Sequence, residues 1–157
     1  GIEALSLGQA AASRLPEELG QTLRTELRQY GAPVHIIRTV PARMKYDREE
    51  IHVTAGEAIR LIFENNDTMP HNLVLVTIGS REEVGRAADE MATQPRAWEK
   101  GYVPESKKVL QATRLLKPGE SELLTFNVPV KPGKYEFVCT FPGHWRTMYG
   151  VFNVNPG

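Results

Sequence analysis

The sequence predicts an all-β chain: a Greek-key β-sandwich of about eight short strands with a helical insertion and an N-terminal helical extension. Three observations carry this. From Val34 onward, apolar residues recur with the period of two that a half-buried strand requires. The turns Lys117-Pro118-Gly119 and Lys131-Pro132-Gly133 punctuate these runs at short intervals. The strand rhythm gives way to helical spacing at 3–30 and again at 81–93. A length of 157 residues suits one domain with a sizeable core and a short accessory element.

Taken in order, the first stretch reads as helix. Leu15, Leu19, Leu23 and Leu27 form one apolar stripe. Pro16 fits a first turn, followed by Glu17 and Glu18, whose charges complement the positive end of the helix dipole. Gly31 and Pro33 end the pattern. This segment is expected to cap the following domain, to serve docking or dimerisation, or to be the tail of a preceding domain. Val34–Val40 is the first strand. His52 lies between Ile51 and Val53 and therefore points to the solvent side, and His35 is likewise read as structural. Ile59, Leu61 and Phe63 give the next strand a strongly apolar face, and Leu73–Val76 is a continuous apolar strand. In the insertion, Ser80 and Glu83 have the spacing of a capping box, with Val84, Ala87, Ala88 and Met91 following on one helical face. Residues 94–107 read as a loop. Strands resume at 109–115, 121–128, 134–140 and 149–155.

Composition removes several functional classes. With 19 basic and 19 acidic residues the formal charge is zero, which argues against nucleic acid or an anionic membrane as the main partner. No apolar run reaches transmembrane length. Gly1-Ile2-Glu3-Ala4 has neither the basic nor the long apolar region of a signal peptide, so the chain is expected to be a mature form or an excised piece. The single cysteine excludes an internal disulfide.

That cysteine heads the chemical motif. Cys139-Thr140-Phe141-Pro142-Gly143-His144-Trp145-Arg146-Thr147-Met148 has the spacing C-x4-H-x3-M. A thiolate, an imidazole and a thioether thus share one short loop between two strands. Soft sulfur donors with imidazole suit copper, and two histidines with a cysteine and a weak axial methionine describe a blue-copper electron-transfer site. Met69-Pro70-His71-Asn72 supplies the missing histidine. Taken singly, each residue has a plainer reading: Cys139 as a small core hydrophobe, Met148 as core filler, His144 as a polar loop residue.

The loop resembles that of the azurin, plastocyanin and auracyanin group of cupredoxins, where Cys-Thr-Phe-Pro-Gly-His followed by Met carries three copper ligands. The resemblance extends to Met44-x-Tyr46-Asp47, Asn65-x-Asp67, Gly101-Tyr102-Val103-Pro104 and Val109–Thr113, covering about 34–155. It implies a cupredoxin domain over 33–157, with 1–32 a helical extension or linker. It also implies one copper ion held by His71, Cys139, His144 and Met148, with Cys139 as thiolate and both histidines neutral. Asn72 is similar in position to the family's asparagine that ties the two ligand loops together, with Pro70, Thr140 and Phe141 also packed around the ligands. Pro70 stands where azurin has a glycine, which brings the pattern closer to plastocyanin and auracyanin. In this family the second loop histidine reaches the surface through an apolar patch, implied here as Pro70, Phe141, Pro142 and Trp145. Trp145 has the alternative of packing into the domain.

The implied function is electron transfer, not enzymatic catalysis. The redox partner is another protein or domain, a c-type cytochrome being one candidate, and the location is extracytoplasmic. A second reading is a redox module of a larger oxidoreductase that passes electrons to a heme or other domain. Other classes fit less well. A cysteine hydrolase lacks an orienting acid or amide after the loop. Val138 and Thr140 flank the cysteine where a coupled copper cluster would need histidines. A storage protein or metallochaperone would show clustered Met, His or Cys.

Overall fold

A computed structural model describes residues 31–157, so the predicted N-terminal helix lies outside the described residues. Among these residues, nine strands form two mixed sheets. The first sheet has the order β2-β1-β4-β7, from β1 (Val34–Val40), β2 (Lys45–Tyr46), β4 (Ala58–Glu64) and β7 (Ser121–Asn127). β1 runs parallel to β4, with Ile37 beside Phe63, and β7 runs antiparallel to β4. The second sheet has the order β3-β9-β8-β5-β6, from β3 (Glu50–Thr54), β5 (Val74–Val76), β6 (Val109–Ala112), β8 (Gly133–Val138) and β9 (Tyr149–Asn155).

The alternation in the sequence is what builds the core. Ile59, Leu61 and Phe63 on β4 turn inward, while Arg60 and Ile62 do not. Ile51 and Val53 are buried on either side of exposed His52. They meet Phe137, Phe152 and Tyr46 between the sheets. Tyr46 packs edge-on against both Phe63 and Phe137. Each fully buried Phe contributes roughly 1.5–3 kcal/mol through the apolar surface it removes from water. Phe137 also requires a glycine opposite it: a Cβ on Gly150 would lie 2.2 Å from the ring.

Three local expectations are corrected. The capping box does not form. The Ser80 hydroxyl pairs with Thr77 Oγ1 at 2.6 Å and caps no amide, while Glu83 reaches Lys108 Nζ at 2.9 Å. The helix, α1, spans Arg81–Met91, so residues 92–93 lie beyond it. β6 stops at Ala112 because the Thr113 hydroxyl turns to accept the Leu73 N–H at 3.0 Å. His71 and Leu116 then pair through an isolated bridge.

The fold also sets where the loops meet. Val74 opens β5 and is paired with Val138, the last residue of antiparallel β8. His71, just before β5, and Cys139, just after β8, therefore emerge at the same end of the sandwich.

Candidate metal centre

Each donor reaches the centre by a different local device. Phe137 and Cys139 share the inward face of the chain leaving β8, so the sulfur points into the core and is fully buried. The Cys139 N–H donates to the Met148 carbonyl at 3.0 Å, which closes the ligand loop on itself. Gly143 has φ 81°, a left-handed turn that glycine adopts without strain. It leads into a single 3-10 turn, His144–Arg146, that carries the second imidazole. His71 is held at both backbone ends by Leu116, through bonds of 3.1 and 2.8 Å.

The result is compact. Cys139 Sγ lies 3.7 Å from His71 Nδ1 and 3.6 Å from His144 Nδ1. The donor atoms of the three residues all lie within 4.8 Å of one another, and all three residues are buried. Two imidazole nitrogens and one sulfur converging from three directions fit a copper ion better than a hard, oxygen-seeking cation. The cluster is positioned to hold one copper ion.

The surroundings prepare these donors. The Asn72 side chain accepts the Thr140 N–H and donates to Thr140 Oγ1, both at 2.8 Å, and donates to the Gly101 carbonyl at 2.9 Å. The Tyr46 hydroxyl donates to the Asn72 carbonyl at 2.7 Å. Burial pushes the Cys139 thiol up to about 12, opposed by the Asn72 and Phe141 amides that donate to the sulfur. Burial, and then the electrostatic influence of neighbouring His71, lower His144 to about 4, with Asp67 opposing. His144 is thus a neutral imidazole at ordinary pH, with an electron pair free for a metal, whereas Cys139 must lose its proton to bind one.

Asp67 is the residue that sequence reasoning missed. In the sequence it stands only as part of the family-like Asn65-x-Asp67 stretch, with no role assigned to it. Its Oδ2 lies 2.7 Å from His71 Nε2, in a contact almost wholly shielded from water. Burial works to raise its carboxyl, but hydrogen bonds from His71 and from the Ala42 and Thr68 amides prevail and hold it below its ordinary value. Its position four residues before His71 is the signal that was available.

Trp145 is not on the surface, which corrects its place in the implied patch. The 3-10 turn drives its ring under α1, against Val74, Val76, Val84 and Val138. Gly85 of α1 leaves room for it, since a Cβ there would lie 2.3 Å from the indole. The indole N–H donates to Asp89 Oδ2 at 2.8 Å. Pro70, Phe141 and Pro142 are half-buried, and the Phe141 ring centroid lies 4.8 Å from that of His144. Met148 is fully buried in the same core cluster as Cys139.

A β-sandwich with two imidazoles and a cysteine thiol buried at one end defines a copper-binding protein of cupredoxin architecture. Residues 36–155 match the model of the copper binding proteins of the plastocyanin/azurin family, and the chain belongs to that family. It is 32% identical to Auracyanin-A of Chloroflexus aurantiacus over 114 residues, 71% of this chain and 68% of that protein. It is also 32% identical to Auracyanin-B of the same organism over 123 residues, 76% of this chain and about half (51%) of that protein. The crystal structure of dithionite-reduced auracyanin from Roseiflexus castenholzii superposes with TM-score 0.69 at 32% identity, covering 80% of this chain and 98% of that one. Family members of this kind are electron carriers, and the chain is an electron-transfer protein, not an enzyme.

Proposed function

We propose that the chain carries one electron at a time through a single copper ion, which His71 Nδ1, Cys139 Sγ, His144 Nδ1 and the Met148 thioether would hold. The observation that carries this reading is the convergence of the three buried donor atoms within 4.8 Å. Copper, when bound, supplies the one-electron Cu(II)/Cu(I) couple. The protein's own groups do the rest. Cys139 gives up its proton and is stabilised as thiolate by the amides of Asn72 and Phe141. Asn72 locks the segment carrying His71 to the loop carrying Cys139 and His144. Asp89 and Gly85 fix that loop against α1 through Trp145. Donors held this firmly move little when the charge changes, so little reorganisation opposes the transfer.

The chain serves a redox partner, and the narrower reading is a c-type cytochrome meeting an apolar patch of Met69, Pro70, Phe141 and Pro142. Met69 is 40% exposed, and Phe141 abuts His144. Trp145 takes no part. The family resemblance supports an extracytoplasmic location, and residues 1–32 are proposed as an extension or linker distinct from the domain at 33–157. The test is a visible and EPR spectrum of the protein after one equivalent of Cu(II). The expected result is an intense thiolate-to-copper band with narrowed hyperfine splitting, absent in Cys139→Ser. A pale, ordinary Cu(II) spectrum with a reactive Cys139 thiol overturns the proposal.

A further inference from the structure

We propose that Asp67 is a positioning residue for the metal centre: its carboxylate holds the His71 proton on Nε2 and so keeps Nδ1 an open electron pair facing Cys139. This rests on the reading of His71 as a copper ligand. A neutral imidazole carries one N–H, and whichever nitrogen holds it cannot bind a metal. An ionised carboxylate only accepts hydrogen bonds. At 2.7 Å from Asp67 Oδ2, His71 Nε2 must therefore be the donor. The other nitrogen, Nδ1, is the one 3.7 Å from Cys139 Sγ.

The carboxylate is itself held in place. Asp67 Oδ1 accepts the Thr68 N–H at 2.7 Å and the Ala42 N–H at 3.1 Å, leaving Oδ2 for the imidazole. The Asp67 N–H donates to Asn65 Oδ1 at 3.0 Å. Asn65 is tied in turn to the carbonyls of Met69 and Leu116 at 2.8 and 2.9 Å. The stretch from Asn65 to His71 is thus wound around one carboxylate, whose fixed negative charge lies on the far side of the ring from Nδ1. That charge favours the more positive oxidation state.

The arrangement makes Asp67→Asn informative. The two backbone amides continue to claim the amide oxygen, which turns the Asn NH2 toward His71 Nε2. A donor in that place moves the proton to Nδ1, the metal-facing atom. Such outer hydrogen-bond partners alter metal affinity by about 10–100-fold. The readout is nitrogen-15 NMR of the imidazoles in copper-free protein, followed by Cu(II) and Cu(I) titrations. The expected results are Nε2–H His71 in the wild type and Nδ1–H His71 in Asp67→Asn. The variant is also expected to lose at least tenfold more Cu(II) than Cu(I) affinity, a rise of about 59 mV for one electron. A wild-type His71 protonated on Nδ1 overturns the inference without any variant having to fold. An Asp67→Asn protein that keeps Nε2–H and its affinities overturns it as well. A blue wild type with the wrong tautomer removes only the role of Asp67, whereas a wild type that takes up no copper removes the ligand reading beneath it.

Discussion

Asn72 and Thr140, 68 residues apart in sequence, hold each other through two hydrogen bonds of 2.8 Å, side chain to backbone and side chain to side chain. The pair joins the segment carrying His71, just before β5, to the loop carrying Cys139 and His144. Asn72→Ala opens that joint and leaves the Gly101 carbonyl and the Thr140 amide buried without their partner. The expected loss of stability is on the order of 2–3 kcal/mol. Thermal unfolding of copper-free protein measures it. Thr140→Val, which removes only the hydroxyl, should cost less, and equal losses would locate the effect elsewhere.

Gly85 and Trp145 make a second joint. Gly85→Ala places a Cβ where the indole ring lies, so either α1 or the His144 turn must move. Overpacking of this kind costs about 1–3 kcal/mol. Because the displaced turn carries a ligand, the EPR hyperfine splitting of the copper-loaded variant should change along with its stability. A destabilised protein with an unaltered spectrum would show that α1 supports the fold without supporting the site.

Copper uptake should depend on pH in a calculable direction. Between pH 7 and 9 the Cys139 thiol, pushed up to about 12, is protonated in the metal-free protein, while His144, lowered to about 4, is already neutral. Binding therefore releases the cysteine proton, and the apparent affinity for Cu(II) rises about tenfold per pH unit. Competition titrations at several pH values measure the slope. A flat profile would mean that the sulfur does not bind as thiolate.

Met148, proposed as a fourth donor, is the residue whose removal should leave the colour in place. Met148→Leu fills the same fully buried space with a side chain of similar size, so folding should change by less than about 1.5 kcal/mol. Losing a thioether that would help to hold the ion would weaken Cu(II) more than Cu(I). We expect the thiolate band to persist and the potential to rise by about 59 mV or more, one factor of ten in relative affinity. An unchanged potential in protein-film voltammetry would remove Met148 from the ligand set.

Much of this was legible in the sequence because it depends on local spacing. Period-two alternation places Ile59, Leu61 and Phe63 on one face whatever they pack against, and β1 has the bounds that this alternation gives. The ligand loop is short enough for its spacing to bring Cys139 and His144 together. The capping box at Ser80 shows the limit of such reasoning. A motif states which bonds are available, and Thr77 and Lys108 offered competing ones that come from tertiary packing.

By itself, then, the sequence determined the strand rhythm, the helical insertion and the spacing of Cys139 and His144 within one loop, because residue type and short-range periodicity govern those. Only the tertiary structure decided that Trp145 lies under α1 and not on the surface, that Asp67 stands behind His71, and that Asp89 receives the indole N–H. Each depends on which side chain occupies a volume between segments far apart in the chain. The competition for that volume, and for each buried hydrogen bond, is settled when the two sheets and the helix close on one another.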